Sequence, residues 1–244
     1  MYFIGIIPAR YASTRFPGKP LADIKGKSMI QRVYEQSKKA SILSELYVAT
    51  DDVRIEEHVK SFGGNVVMTP AECRNGTERC FEALKKINKK KEDVVVINIQ
   101  GDEPFIHPEQ IEKVASLFKN KHVGIATLIK KISTTEELTN SNIVKVVVNK
   151  DKEAIYFSRF PIPFYRDKKN DDALKLHDYY KHIGMYAYRE DILAKLISLK
   201  QTPCETAESL EQLRWIENAF SIQTEITEFE SIAVDTKEDL LTFD

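Results

Sequence analysis

Near its start the chain reads Ile4-Gly5-Ile6-Ile7-Pro8-Ala9-Arg10-Tyr11-Ala12-Ser13-Thr14-Arg15-Phe16-Pro17-Gly18-Lys19-Pro20-Leu21. The apolar run from Tyr2 to Ile7 predicts a strand that is buried on both faces, as in a parallel sheet. Proline cannot donate to a strand ladder, so the strand is predicted to end at Pro8.

The loop after this strand carries three cations, Arg10, Arg15 and Lys19, among small hydroxyl and glycine residues. Open α/β sheets place their ligands where strands leave the sheet at their carboxyl ends. Three cations, together with backbone N–H groups freed by an irregular chain, suit a polyphosphate at that position. No Gly-x-x-x-x-Gly-Lys-Ser/Thr pattern occurs here, which excludes a Walker A loop. The alternative interpretation is a basic surface loop.

The composition is that of a globular protein with a core of ordinary size. Of 244 residues, 42% are hydrophobic and 30% are charged. Lys and Arg number 36 and Asp and Glu number 37, so no overall charge attracts nucleic acid or an anionic membrane. An anion site must therefore be built locally, as in the opening loop.

The cysteines and the lengths of the apolar runs indicate the cellular compartment of the protein. Cys73, Cys80 and Cys204 form no Cys-x-x-Cys pair, which favours reduced thiols over a zinc site or disulfides. Apolar runs are short, and no cationic segment precedes the first strand, so neither membrane insertion nor a signal peptide is expected. We therefore expect a cytoplasmic protein.

Strands and helices alternate over the first 130 residues or so. Strands are predicted at 46–49, 65–68, 94–99 and 124–129, and helices begin near Met29, Asp52, Asn75 and His107. Such alternation predicts a doubly wound, mostly parallel α/β sheet.

The pattern changes beyond residue 133. Residues 143–149 and 154–157 predict a hairpin, and a polar stretch at 166–172 is expected to be mobile. A strand is predicted at 182–188, helices at 192–199 and 208–218, and a last strand at 231–234. No repeat or linker separates the two parts, so residues 131–244 are interpreted as an elaboration of one domain spanning 1–244.

Two aspartates follow predicted strands. Asp102 comes directly after the apolar strand that begins at Val94, within Gly-Asp-Glu-Pro. A carboxylate at the carboxyl end of a central strand can hold Mg²⁺, which commonly bridges protein to substrate phosphates. Asp235 holds a similar position after residues 231–234 and would be the second carboxylate. The alternatives are a turn or helix cap for Asp102 and a helix start for Asp235.

Seven motifs in this order resemble the 3-deoxy-manno-octulosonate cytidylyltransferases, over Ile4 to Leu240. They lie at residues 7–21, 75–79, 98–104, 156–159, 182–189, 208–214 and 234–240. The resemblance implies an α/β fold of the nucleotide-diphospho-sugar transferase type. It also implies a cytoplasmic, Mg²⁺-dependent homodimer that activates 3-deoxy-manno-octulosonate (Kdo) with CTP for lipopolysaccharide assembly.

The resemblance further implies roles for residues at the motif positions. The nucleotide-binding residues would be Pro8, Ala9, Arg10, Ser13, Arg15, Lys19 and Gln100. The sugar-binding residues would be Arg79, Arg159, His182, Tyr186, Glu211 and Gln212. Lys19, Asp102 and Asp235 would be catalytic, and the two aspartates would bind the metal. Residues 1–130 would bind the nucleotide, and residues 131–244 would form the sugar pocket and dimer interface.

Three alternatives stay open. The acceptor could be 8-amino-Kdo or another nonulosonic acid, because the 166–172 loop matches no motif. The sialic acid cytidylyltransferases are the nearest enzymatic rival, but their opening loop is glycine- and lysine-rich where this chain has Tyr-Ala-Ser-Thr-Arg-Phe-Pro. A non-catalytic nucleotide-binding regulator would have no need of two carboxylates beside a triphosphate.

Overall fold

The computed structural model describes residues 1–12, 16–87, 91–230, 233–234 and 236–243. The strands are β1 Tyr2–Ala9, β2 Asp23–Ile24, β3 Lys27–Ser28, β4 Glu45–Thr50, β5 Val66–Met68, β6 Val94–Asn98, β7 Ile125–Lys131, β8 Lys145–Val148, β9 Ala154–Ser158, β10 Tyr180–Arg189 and β11 Ile222–Ile226. The α-helices are α1 Met29–Ser37, α2 Val53–Ser61, α3 Gly76–Ile87, α4 Pro108–Ser116, α5 Thr135–Thr139, α6 Asn170–Leu176, α7 Glu190–Ser198, α8 Pro203–Glu208 and α9 Glu211–Glu217. Short 3₁₀ turns cover Lys19–Leu21, Leu117–Lys119 and Glu238–Phe243.

One nine-stranded sheet organises the described residues, in the order β11-β7-β10-β6-β1-β4-β5, with β8 paired to β10 and β9 to β8. Strands β6, β1, β4 and β5 are parallel neighbours, as are β7 and β11. Strand β10 runs antiparallel between β6 and β7. The predicted mostly parallel α/β sheet is confirmed, and strands from both parts of the chain share it.

Helices cover both faces of this sheet, so the prediction of a doubly wound fold is also confirmed. On one face, helices α1, α2 and α4 pack on apolar residues such as Ile7 and Val95. On the other, helices α3, α7 and α9 pack on residues such as Ile4 and Val96. Among the described residues, no helix is long and apolar enough to cross a membrane.

Strand β1 is buried on both faces, as predicted, and Ile4, Ile6 and Ile7 are fully buried. Its predicted end at Pro8 is wrong, because the strand continues to Ala9 with Pro8 opposite Ala49. The carbonyl oxygen of Ile6 accepts from the N–H of Ile99, on the side of β6. The backbone polar groups of every second residue in a strand point to the same neighbouring strand, so those of Pro8 also point toward β6. The pairing with β6 stops at Ile6 opposite Asn98, so the donor that Pro8 lacks is not required there.

The second part of the chain departs from prediction at several elements. The hairpin is confirmed as β8 and β9. The helix expected at 208–218 is confirmed as α9, but it begins three residues later, because Ser209 has a left-handed backbone (φ 52°) that ends α8. Helix α6 begins inside the 166–172 stretch, and strand β11 was not predicted. Of the strand predicted at 231–234, residues 231 and 232 lie outside the described residues, and 233–234 are not in a strand.

Candidate functional site

A cleft of about 370 Å³ opens at the carboxyl ends of the parallel neighbours β1 and β6. It is lined by Pro8, Arg10, Lys19, Pro20, Cys73, Arg74, Asn75, Gly76, Arg79, Gln100, Gly101 and Asp102. The structure thus brings most of the nucleotide-binding residues suggested by the sequence to one place, together with Arg79. Ala9 is buried in the core behind the cleft. Ser13, Arg15 and Asp235 lie outside the described residues.

Lys19 and Asp102 form an ion pair in this cleft, with Nζ 2.9 Å from Oδ2. Lys19 begins a short 3₁₀ turn just after Gly18, whose φ of 74° suits glycine. Its Nζ also donates to the carbonyl oxygen of Val234, 2.6 Å away. The N–H of Val234 donates in turn to the carbonyl oxygen of Asp102, at 2.9 Å. The two loops and the C-terminal segment therefore meet at one lysine.

Gly101 allows the two strand ends to approach closely. A Cβ at this position would lie 2.7 Å from the carbonyl oxygen of Pro8, which is too close for any other residue. Gly101 was not among the site residues predicted from the sequence, although it lies in the Gly-Asp-Glu-Pro motif. Its signal was its place between Gln100 and Asp102, directly after a buried strand.

The N-terminus of helix α3 lies at the cleft, beginning at Gly76. The Oδ1 atom of Asn75 accepts from the N–H of Glu78 at 2.8 Å, which caps the helix. The positive end of the helix dipole and its unpaired N–H groups favour an anion, in addition to the cations of the cleft. Asn75 and Arg74 were not among the predicted site residues, although Asn75 opens the Asn-Gly-Thr-Glu-Arg motif and Arg74 directly precedes it.

Arg79 lines the cleft from helix α3 and is almost fully buried. Its Nη1 atom lies 3.2 Å from Oδ1 of Asp51 and donates to Oγ1 of Thr69 at 2.7 Å. These partners hold the guanidinium at the wall of the cleft. Its predicted contact with a sugar carboxylate stays a prediction.

Gln100 connects the cleft to strand β10. Its Nε2 atom donates to the carbonyl oxygen of Gly184 at 2.8 Å. Gly184 lies at the irregularity in β10 between Ile183 and Tyr186, where the register with β7 shifts. The predicted sugar-binding residues His182 and Tyr186 are on the same strand, so one hydrogen bond joins the two predicted groups.

The hydrogen bonds around His182 determine its tautomer. The Oγ1 atom of Thr127 lies 2.7 Å from the carbonyl oxygen of Met185 and 3.0 Å from Nε2 of His182. A hydroxyl has one proton, which the carbonyl requires, so His182 donates through Nε2–H and its Nδ1 carries a lone pair. Burial lowers the pKa of His182 to about 3, so the ring is neutral at pH 7.

Tyr186 lies in an aromatic cluster beside His182. Its ring centroid is 5.1 Å from that of His182, 5.0 Å from Trp215 and 5.9 Å from Tyr188. Burial, with the nearby Glu211 carboxylate, raises the pKa of Tyr186 well above its ordinary value. The phenol is therefore a neutral hydroxyl at any physiological pH.

Glu211 begins helix α9 and connects it to the start of α3. Its carboxylate accepts from Nδ2 of Asn75 at 3.0 Å and from Oγ1 of Thr77 at 2.8 Å. Burial raises the pKa of Glu211, and these donors oppose that shift. Gln212 follows it and is buried. Of the two predicted sugar-binding residues of α9, Glu211 therefore stands beside the nucleotide cleft.

Arg159 contacts the junction between α8 and α9. Its Nε atom donates to the carbonyl oxygen of Glu208 at 2.7 Å, and its Nη2 donates to that of Ser209 at 3.4 Å. Its Nη1 donates to the carbonyl oxygen of Ser141 at 3.2 Å. The guanidinium thus holds the segment that immediately precedes Glu211. Its predicted contact with the sugar carboxylate stays a prediction.

Asp102 fits the donor chemistry of a magnesium site. Mg²⁺ prefers oxygen ligands and is usually held by one or two carboxylates together with waters and substrate phosphates. Lys19 contacts the Oδ2 atom of Asp102, and the carboxylate lines a cleft that also contains Arg10 and Arg74. Among the described residues, no three His, Cys, Asp or Glu side chains form a metal cluster, so a protein-only cage is not seen there.

Comparison with known proteins identifies the family. A family model described as cytidylyltransferase matches residues 4–230. A 3-deoxy-manno-octulosonate cytidylyltransferase of Parabacteroides distasonis is 56% identical, covering 98% of this chain and 96% of the relative. Another, from Thermodesulfovibrio yellowstonii, is 47% identical over 98% and 96%. The chain belongs to the 3-deoxy-manno-octulosonate cytidylyltransferase family.

Solved structures agree with this membership. A CMP:2-keto-3-deoxy-manno-octonic acid synthetase complexed with CTP superposes with a TM-score of 0.91 and 40% identity, covering 99% of this chain and 96% of that one. A 4-diphosphocytidyl-2C-methyl-D-erythritol synthase from Anaerococcus prevotii superposes with a TM-score of 0.60 at 14% identity and supports the fold alone. The resemblance to the 3-deoxy-manno-octulosonate cytidylyltransferases and their fold type is thereby confirmed.

Proposed function

We propose that this chain transfers the cytidylyl group of CTP to Kdo, giving CMP-Kdo and pyrophosphate for lipopolysaccharide assembly. Family membership supports the activity, and a relative in the same family was solved with CTP bound. The observation in this chain that carries the proposal is the Lys19–Asp102 pair in the cleft between β1 and β6.

In this reaction the protein mainly positions the two substrates and neutralises the negative charge of the phosphates. The anomeric hydroxyl of Kdo attacks the α-phosphorus of CTP, and pyrophosphate leaves in line with the attack. Arg10, Arg15 and Lys19 bind the triphosphate, and Lys19 stabilises the negative charge that moves to the leaving pyrophosphate. Pro8, Ser13 and Gln100 surround the nucleoside, with Ala9 in the core behind the cleft, and the N-terminus of α3 adds a positive end to the same cleft.

Mg²⁺ is the proposed cofactor, with Asp102 and Asp235 as its protein ligands. When bound, it would neutralise phosphate charge and so favour approach of an anionic acceptor. The ion pair with Lys19 keeps the Asp102 carboxylate at the edge of the cleft where phosphates are expected.

Arg79, Arg159, His182, Tyr186, Glu211 and Gln212 are the proposed acceptor site. Two hydrogen bonds connect this group to the nucleotide cleft, from Gln100 to Gly184 and from Asn75 to Glu211. The neutral His182 offers Nδ1 as an acceptor for a sugar hydroxyl. Guanidinium groups suit the carboxylate of an acidic sugar because their planar fork matches its geometry.

The division of the chain, its assembly and its location belong to the same proposal. Residues 1–130 bind the nucleotide, while 131–244 complete the acceptor site and form the interface of a homodimer. Three exposed apolar side chains of that part, Ile155 (53%), Phe160 (74%) and Phe164 (82%), support such an interface. A cytoplasmic location is supported by the three free cysteines.

Pyrophosphate release tests the proposed reaction. The purified chain is incubated with Mg²⁺ and either CTP or UTP, across a panel of Kdo, 8-amino-Kdo and N-acetylneuraminate. We expect release with CTP and Kdo, and a preference over UTP of about 10⁴-fold, because a site that hydrogen-bonds one exocyclic group rejects its analogue strongly. Equal turnover of CTP and UTP, or faster turnover of another sugar, would overturn the assignment of the base or acceptor pocket.

A further inference from the structure

The C-terminal segment reaches the cleft through its backbone. We define the C-terminal strap as residues 227–230 together with 233–234, which follow strand β11. The carbonyl oxygen of Val234 accepts from Nζ of Lys19 at 2.6 Å. The N–H of Val234 donates to the carbonyl oxygen of Asp102 at 2.9 Å. Both contacts place the backbone of Val234 against the ion pair of the cleft.

The side chain of Val234 fixes this backbone in place. It is fully buried and packs in a small apolar cluster with Phe16, Ile24 and Met29. A fully buried valine has one well-packed position, since protein interiors are close-packed. The Val234 carbonyl oxygen that accepts from Lys19 is therefore held both by the packing of the side chain and by the hydrogen bond from the N–H of Val234 to Asp102.

The upstream end of the strap is anchored by two lysines and a histidine. The carboxylate of Glu230 accepts from Nζ of Lys181 at 2.5 Å and lies 3.1 Å from Nζ of Lys130. Lys130 also donates to the carbonyl oxygen of Glu228 at 2.7 Å. The ring of Phe229 stacks on His107, with centroids 3.6 Å apart and planes 6° apart.

These anchors stand apart from the nucleotide cleft. Neither Lys130 nor Lys181 lines it, and Lys181 is a buried cation whose other partner is Glu137. Two charged partners justify the burial of Lys181, because a buried ammonium is costly without them. Glu230 therefore holds the strap to the body of the protein.

We propose that the C-terminal strap is a positioning element for Lys19, and that Glu230 is its positioning residue. A freely rotating lysine side chain loses rotamer entropy when it is held at a phosphate. A carbonyl fixed by the strap confines the ammonium before CTP arrives, so less freedom is lost on binding. The inference rests on the proposed function only in taking Lys19 as the triphosphate ligand.

The rate at which Lys19 is acylated, measured by mass spectrometry, reports how firmly its side chain is held, and the measurement needs no substrate. The Glu230→Gln variant removes the charge that Lys130 and Lys181 hold, while Glu137 still pairs with Lys181. We expect acylation of Lys19 to become at least about threefold faster, because the local opening that exposes it is then less costly. The exposed Lys60 is the internal standard and should react at one rate in every variant.

Glu228→Gln is the matched control. Lys130 contacts the carbonyl oxygen of Glu228 and not its exposed carboxylate, so this variant keeps the anchor. Val234→Ala is the second variant, because it loosens the apolar cluster without touching the ion pairs. An unchanged Lys19 rate in both Glu230→Gln and Val234→Ala, with folds verified by circular dichroism, would overturn the proposal. An equal acceleration in Glu228→Gln would also overturn it.

A double-mutant comparison of Glu230 and Lys19 distinguishes a positioning role of Glu230 from a general contribution to the stability of the fold. In CTP turnover, the loss of kcat/KM caused by Glu230→Gln should largely vanish in a Lys19→Ala background, since the residue it positions is gone. Losses that multiply would mean that Glu230 supports the fold and nothing more. If the wild-type chain released no pyrophosphate while the acylation result held, the proposed function would fail and the positioning of Lys19 would stand.

Discussion

Lys19 and Asp102 are 83 residues apart in the chain, and their side chains meet at 2.9 Å at the mouth of the cleft. The meeting follows from the fold, because parallel pairing of β1 with β6 brings their carboxyl ends together. The proposed phosphate-binding cation thereby stands beside the proposed metal-binding carboxylate. Phosphoryl chemistry needs both within one site.

Replacement of Lys19 by alanine tests the cation. We expect Lys19→Ala to lower kcat by about 10²–10³ at saturating CTP, since charge stabilisation of the leaving pyrophosphate is lost. The fold should persist, because the residue stands on a loop. Lys60→Ala is the matched control, as it removes an exposed lysine that does not line the cleft. Normal turnover by Lys19→Ala would reduce the opening loop to a basic surface feature.

Replacement of Asp102 by asparagine tests the metal. Asn keeps the shape but not the charge, so Asp102→Asn should raise the Mg²⁺ concentration needed for activity and lower kcat by about 10²–10³. Initial rates against Mg²⁺ measure both changes. Chelation with EDTA should abolish wild-type turnover, and added Mg²⁺ should restore it. An unaltered Mg²⁺ requirement in the variant would contradict a metal ligand at this position.

Replacement of Arg159 by lysine is expected to affect binding of the acceptor and not of the nucleotide. Lysine keeps the charge but loses the planar fork, so Arg159→Lys should raise the KM for Kdo about tenfold or more and leave the KM for CTP nearly unchanged. Three carbonyl contacts near α9 are reduced in the variant, which would displace Glu211 as well. Steady-state kinetics with each substrate varied in turn provide the measurement. Equal changes in both constants would make Arg159 a purely structural residue.

His182 should give the fold a pH dependence of definite sign. In the unfolded chain its imidazole has an ordinary pKa of about 6.5, whereas burial lowers the pKa of His182 to about 3 in the folded protein. Below pH 6.5 protons therefore bind the unfolded chain first, and stability falls as the pH drops toward 3. At pH 5, the low pKa of His182 should lower the free energy of unfolding of the wild type by up to about 2 kcal/mol relative to pH 7.5.

Urea unfolding at pH 7.5 and pH 5 measures this cost. The His182→Gln variant should lose less stability between the two pH values than the wild type, and His122→Gln, at an exposed position, should behave like the wild type. The same loss in His182→Gln and wild type would mean that His182 is protonated in the folded protein.

The central strands and their loops could be predicted because their signals are local. A fully apolar run such as Ile4 to Ile7 marks a strand buried on both faces, and Asp102 follows the next such run. Alternation of strands and helices then places both loops at one edge of the sheet. These three facts were enough to bring Lys19 and Asp102 into one cleft.

Other features left no local signal in the sequence. The helix expected at 208–218 begins only at Glu211, after the left-handed Ser209, and the Glu208 carboxylate before it accepts from Ser158 and from the N–H of Arg159, residues 50 and 49 positions away. Periodicity cannot register such a tertiary contact. The acceptor for Lys19 is likewise a backbone carbonyl, that of Val234, and every residue has one. Side-chain patterns therefore predicted the cleft but not the strap that contacts it.

The central claim is that the cleft between β1 and β6 transfers a cytidylyl group from CTP to Kdo. Phosphorus-31 NMR of one reaction follows every phosphate at once. With Mg²⁺, CTP and Kdo, we expect the three CTP resonances to be replaced by one phosphodiester and pyrophosphate in equal amounts. Lys19→Ala should slow this change by about 10²–10³. Loss of CTP without Kdo, or formation of phosphate monoesters in place of the phosphodiester, would contradict the account.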